Sequence, residues 1–190
     1  MITKNIMIVG VGGQGSLLAS KLLGRLLMNE GYDVKVSEVH GMSQRGGSVV
    51  TYVRYGEKVY SPIIDKGEAD FIISFEKLEA ARYAQYLKTG GSIIVNAQEI
   101  EPMPVITGAA SYPHEALSNL SAKGVNIDEV DALSLALEAG NAKAVNIVLM
   151  GKLSRLMPIE EEKWIEAIKQ TVAPKFAEVN LKAFGLGRRM

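Results

Sequence analysis

Cysteine is absent from all 190 residues, and its absence removes a good deal of chemistry. Disulfides, a cysteine nucleophile and an iron–sulfur cluster all need thiols, so none of the three is expected on this chain. Histidine is nearly as scarce. His40 and His114 are the only two, too few for a histidine-rich metal site. Net charge is missing as well, with Lys plus Arg and Asp plus Glu at 21 each. A nucleic-acid-binding face normally shows as a basic excess and a membrane-surface binder as a strongly charged face, so neither partner is expected. No stretch approaches the roughly 20 apolar residues that span a bilayer. The apolar run at residues 6–11 is too short for a signal-peptide core and leads straight into glycines, so a cytoplasmic protein is expected. What remains, 47% hydrophobic and 22% charged, is ordinary globular composition, and the length suits one domain over residues 1–190.

Hydrophobic patterning predicts the elements. Ile6-Met7-Ile8-Val9 reads as a buried strand. Residues 16–29 read as a helix apolar on most of its circumference, with Lys21, Arg25 and Asn29 as its one polar stripe. Strands follow at 34–39 and 48–54, the latter leading through a turn into a hairpin partner at Val59-Tyr60. Phe71-Ile72-Ile73 is a further strand. Ala80, Tyr83, Ala84 and Leu87 then mark one face of a helix that Gly90-Gly91 should end, before a strand at 92–95. Residues 101–113 carry three prolines and read as loop, with a short edge strand near Val105-Ile106. Beyond them come a helix at 115–122, a strand at 125–130 and two helices divided at Gly140-Asn141. A helix burying Trp164, Ile165 and Ile168 follows, and then a last one started by Pro174 and stopped by Gly185, leaving a mobile 187–190 tail. The alternation of strand and helix predicts an α/β fold: a doubly wound, mostly parallel, Rossmann-like sheet with helices on both faces.

Gly10-Val11-Gly12-Gly13-Gln14-Gly15 matches G-x-G-x-x-G between a predicted strand and a predicted helix. Such a turn lets a diphosphate approach backbone N–H groups at a helix N-terminus. Glu38 ends the second strand, near where a dinucleotide binder keeps its ribose-binding acid. A self-sufficient NAD(P)-dependent dehydrogenase is therefore one reading of these residues, and close strand–helix packing by the glycines is another. The second strand runs into His40-Gly41-Met42-Ser43-Gln44-Arg45-Gly46-Gly47-Ser48. Loops at the carboxyl ends of neighbouring strands lie side by side, so Gln14 and Arg45 are expected to face one crevice. Arg45 there offers a donor fork suited to carboxylate or phosphate.

The two loops together resemble the gamma subunit of 2-oxoacid:ferredoxin oxidoreductases, and the His-Gly-Met-Ser-Gln-Arg-Gly-Gly form is most similar to the beta subunit of the indolepyruvate type. Later stretches agree, among them Val53-Arg54-Tyr55-Gly56, Phe75-Glu76, and Gly140-Asn141 with Val145-Asn146. The likeness covers nearly the whole chain, as one gamma-type domain. It implies a division of labour. Thiamine diphosphate, Mg²⁺ and iron–sulfur clusters sit in larger partner subunits, coenzyme A takes the acyl group, and ferredoxin takes the electrons through the complex. No cofactor is then expected on this chain alone, and no residue of it is assigned a catalytic role. Gly12, Gly13, Gln14, Gly15, Ser43, Gln44, Arg45, Gly46 and Gly47 would contact a coenzyme A-like anion or form the subunit interface. A binding module without catalytic contact is a further reading. In isolation the chain is expected to pair as a homodimer through the surface its partner would cover. His40 is expected to be buried or at an interface. Glu76, Glu79, Asn141 and Asn146 are expected to serve helix starts.

Overall fold

The computed structural model describes residues 3–41 and 46–190. β1 (Lys4–Val11) is buried on both faces, which is why its apolar run is continuous rather than alternating. Ile6 and Ile8 point into one core, Met7 and Val9 into the other, as the two-residue period of a strand requires. The sheet has six strands in the order β2-β3-β1-β4-β5-β6, comprising β2 (Asp33–His40), β3 (Ser48–Gly56), β4 (Ala69–Ser74), β5 (Leu87–Asn96) and β6 (Asn126–Val130). β1, β4, β5 and β6 pair in parallel. β3 is antiparallel to both its neighbours and lies between β1 and β2.

α1 (Ser16–Asn29) packs Leu22, Leu23, Leu26 and Leu27 into the first core, each worth about 1.5–3 kcal/mol of burial. Lys21, Arg25 and Asn29 form its exposed stripe. α5 (Ala132–Ala139), α6 (Val145–Ser154), α7 (Glu161–Thr171) and α8 (Ala177–Arg189) complete that layer. α6 is buried around almost its whole circumference, pressed between the sheet and α8. α2 (Lys77–Tyr83) and α4 (Ala116–Ala122) cover the opposite face. Among the described residues no helix is long and apolar enough to cross a membrane.

The doubly wound, mostly parallel sheet is as predicted, and four local expectations fail. Val59-Tyr60 forms no strand, because β1 and β2 already occupy both edges of β3; the Val59 N–H instead donates to Asp33 Oδ2 at 2.9 Å. Gly90-Gly91 does not stop α2. It lies inside β5, where the register with β4 shifts between Ala69 and Phe71. A Cβ at Gly91 would stand 2.9 Å from the Asp70 carbonyl oxygen, so the pair marks a bulge where two backbones touch. Val105-Ile106 closes a short helix, α3 (Met103–Ile106), which Pro102 and Pro104 start: their missing N–H groups are unpaired in a first turn anyway. Gly185 lies within α8, which continues through the supposed mobile tail. Arg188 holds that end, its Nε 2.9 Å from Glu161 Oε2 and its Nη1 2.8 Å from Ser154 Oγ.

At the amino end of the sheet Asp70, 5% exposed, gathers three partners. It accepts from the Asn5 N–H at 2.8 Å and pairs with Lys4 at 3.0 Å and with Lys88. Burial alone would raise its pKa, but the bonds from Lys88, Asn5 and Lys4 outweigh that and hold the carboxyl below its ordinary value. Arg54 extends the tie, donating to Asn5 Oδ1 at 2.9 Å and to the Ile63 carbonyl oxygen at 2.7 Å.

Candidate functional site

Both described parts of the glycine-rich sequence lie at the carboxyl end of the sheet. The β1–β3 ladder ends with Val11 opposite Ser48, and one step further the Gly12 N–H donates to the Gly47 carbonyl oxygen at 2.9 Å. Residues 12–15 and Gly46-Gly47 are therefore directly joined. Ser43, Gln44 and Arg45 lie outside the described residues.

The first loop turns through Gly13 and Gly15, at φ +100° and +89°. Gly15 is also hemmed in. A Cβ there would meet the Asn146 amide nitrogen at 2.9 Å, and that same nitrogen donates to the Gly15 carbonyl oxygen at 3.2 Å. α1 begins at this turn with no acidic residue in its first turn and, among the described residues, no side-chain cap. A crevice of about 420 Å3 opens here, lined by Gly12, Gly13, Ser16, Leu17, Glu38 and His40. His40 is exposed on it rather than buried.

Gln14 faces another way. Its Oε1 accepts from the Val11 N–H at 2.7 Å, and its Nε2 donates to the Phe75 carbonyl oxygen and to Gln98 Oε1, both at 3.1 Å. The side chain ties the turn to the ends of β4 and β5 and borders a second crevice, of about 500 Å3, with Gln98, Leu133, Lys143 and Asn146. Asn96 extends this amide cluster, donating to the Phe75 carbonyl oxygen at 3.2 Å. Sequence reasoning passed over Asn96 and Gln98, whose only signal is an amide pair just past a predicted strand.

A third cavity, of about 340 Å3, lies under Gly46 and Gly47, with Glu76 and Glu79 inside it and Met103 and Ile106 at its rim. Glu76 caps α2, as its place at a helix start suggests, accepting from the Glu79 N–H at 2.9 Å. It also accepts from the Tyr112 hydroxyl and from the Ile100 N–H at 3.1 Å. Burial pushes the Glu79 carboxyl above its ordinary pKa, partly offset by the Ser48 hydroxyl and Arg82. Asn141 caps the turn before α6, accepting from the Lys143 N–H at 2.9 Å. Asn146, only 3% exposed, serves both its own helix start and the glycine turn: its Oδ1 accepts from the Ile147 N–H at 2.8 Å in the first turn of α6, while its Nδ2 holds the Gly15 carbonyl oxygen. Among the described residues no three His, Asp or Glu side chains come together as a metal site.

The place of Glu38 bears on the dehydrogenase reading. β3 stands between β1 and β2, moving Glu38 one strand spacing, about 4.8 Å, further from the first glycine turn than adjacent strands would leave it. There it accepts from Thr51 Oγ1 at 3.3 Å. Residues 5–190 match the pyruvate ferredoxin/flavodoxin oxidoreductase family. The chain belongs to that family. It is 48% identical over 188 residues to the indolepyruvate oxidoreductase subunit IorB of Thermococcus kodakarensis, covering 96% of this chain and 93% of that protein. Its fold resembles the gamma subunit of a keto/oxoacid ferredoxin oxidoreductase from Geobacter sulfurreducens, with a TM-score of 0.73, 22% identity and coverage of 98% and 96%. It also resembles part of the 2-oxoglutarate:ferredoxin oxidoreductase of Magnetococcus marinus, solved with 2-oxoglutarate, coenzyme A and succinyl-CoA bound. There the TM-score is 0.75 at 19% identity, over all of this chain but 31% of the longer one. In that protein the same fold is one portion of a larger polypeptide. The resemblance carried by the two glycine loops is borne out.

Proposed function

We propose that this chain is the small subunit of a cytoplasmic 2-oxoacid:ferredoxin oxidoreductase with indolepyruvate as its substrate. A larger partner, bearing thiamine diphosphate, Mg²⁺ and iron–sulfur clusters, performs oxidative decarboxylation and passes electrons to ferredoxin. This chain contributes a wall for the coenzyme A that receives the acyl group. The observation that carries the reading is the junction of the two glycine loops, Gly12 N–H to Gly47 oxygen, at the mouth of a 420 Å3 crevice beside an uncapped α1 N-terminus. Gly13, where a Cβ would meet nothing within 4 Å, leaves room there for a diphosphate, and Gly12 and Gly15 line the same crevice. Gly46, Gly47, Ser43, Gln44 and Arg45 belong to the same proposed contact, and Gln14 serves it by holding the turn in shape.

A second reading, in which these loops form the interface with the large subunit, draws on the exposed Met103, Ile106 and Leu133 around them. Homodimerisation of the isolated chain through that surface follows from either reading.

Reconstitution tests the proposal. The purified chain should be colourless and give no 2-oxoacid-dependent reduction of a viologen dye, and adding the thiamine- and cluster-bearing partner should produce that activity with indolepyruvate. Turnover by this chain alone would refute the subunit reading. An assembled enzyme that ignores indolepyruvate but accepts another 2-oxoacid would refute the substrate.

A further inference from the structure

We infer that Glu79 is the positioning residue of the glycine-loop site: through Ser48 it sets Gly46-Gly47 against the Gly12 turn. Glu79 sits in the first turn of α2 and is 5% exposed. Its Oε2 accepts from Ser48 Oγ at 2.5 Å and its Oε1 lies 3.3 Å from Arg82 Nε. Its own N–H is held by Glu76 Oε2 at 2.9 Å, and Tyr83 Oη stands 3.3 Å from Ser48 Oγ. Ser48 is the first residue of β3, directly after Gly47, whose carbonyl oxygen accepts from the Gly12 N–H. The path from α2 to the first glycine turn is thus one side-chain bond, one peptide and one backbone bond.

This link supplies what the loops cannot. Gly46 and Gly47 carry no side chains with which to fix themselves, and glycine loses more conformational freedom on ordering than any other residue. The end of β3 must therefore be held from outside, and the Glu79 carboxylate does so from the floor of the 340 Å3 cavity beneath those glycines. A well-packed apolar residue could cover the sheet at this point without the cost of burying a charge, which burial already opposes by raising its pKa. Retaining an acid here is explained by what it holds.

The inference rests on the reading of the glycine loops as the coenzyme A contact, and its test separates the two. Glu79→Ala, Ser48→Ala and the double variant are compared by amide hydrogen exchange on the full chain, and by steady-state kinetics of the reconstituted enzyme with coenzyme A varied. Each single change should speed exchange of the Gly12 amide about tenfold, the scale of one charge-assisted hydrogen bond, while Ile72 and Ile73 in β4 stay protected. The double variant should exceed either single one only slightly, since both break the same link. In the enzyme, KM for coenzyme A should rise about tenfold with kcat nearly unchanged, as when binding energy is removed equally from the ground and transition states. Unchanged Gly12 exchange, or fully additive effects in the double variant, overturns the positioning role. Faster Gly12 exchange with an unmoved KM upholds that role and removes coenzyme A from the site. If Glu79→Ala unfolds the chain, Ser48→Ala decides by the same Gly12 readout.

Discussion

At the amino end of the sheet, Asp70 collects Lys4, Lys88 and the Asn5 amide, and Arg54 binds a loop carbonyl across the same strands. At the carboxyl end the backbone turns through positive-φ glycines, and cavities of about 340, 420 and 500 Å3 open between them. Buried acids occur at both ends, but their surroundings differ in sign. Two lysines depress the Asp70 carboxyl, while burial lifts that of Glu79 beside a serine, an arginine and a second glutamate. The first arrangement stabilises the fold. The second keeps charge and open space where something else can meet them, as expected of the strand-end crevices of doubly wound sheets.

Asp70→Ala should cause the larger loss of stability, on the order of 3 kcal/mol, because it strips a buried carboxylate from two lysines and an N–H. The sign of its pH dependence follows from the depressed pKa. The contribution is present above the unfolded value, about 4, and fades as pH falls through the lower folded value. Denaturant melts of wild type and variant should therefore converge below about pH 4, and kinetics of the assembled enzyme should be unaffected wherever the variant is folded. A gap that widened on acidification would contradict this account of the amino end.

Gly15→Ala should show the opposite balance. Forcing alanine to φ +89° against the Asn146 amide costs about 1–2 kcal/mol in a melt, less than Asp70→Ala. Its effect on coenzyme A dependence or partner binding in the complex should exceed that stability loss. If stability falls and both of those stay normal, the glycines serve strand–helix packing alone.

Much of this contrast was legible in the sequence. The continuous apolar run of β1, the polar stripe of α1 and the glycine turn between them need only local rules, and the second loop sharpened the likeness to one family. The insertion of β3 between β1 and β2 was not legible, because strand order depends on pairings between distant residues that a local pattern does not encode. It is what moved Glu38 away from the first turn. Gly90-Gly91 misled for a related reason: a helix stop and a bulge ask for the same residue, and only the approach of the Asp70 backbone distinguishes them. Gln14 shows the limit at the site itself. An amide inside a glycine loop looks available to a ligand, yet three hydrogen bonds to backbone and to Gln98 occupy it.

If the carboxyl end is the working face, the molecule carries its own control. Met103 stands at that end, 65% exposed, beside the Gly46-Gly47 cavity. Met28 is 58% exposed near the far end of α1, on a groove of about 510 Å3 with Lys21, Arg25 and Val36 that offers a competing surface. Mild peroxide converts exposed methionine to sulfoxide, so mass spectrometry can follow both sites in the isolated chain and in the assembled enzyme. Assembly should slow oxidation of Met103 several-fold and leave Met28 unchanged. Protection of Met28 with Met103 still reactive would place the partner on the opposite surface and contradict the account.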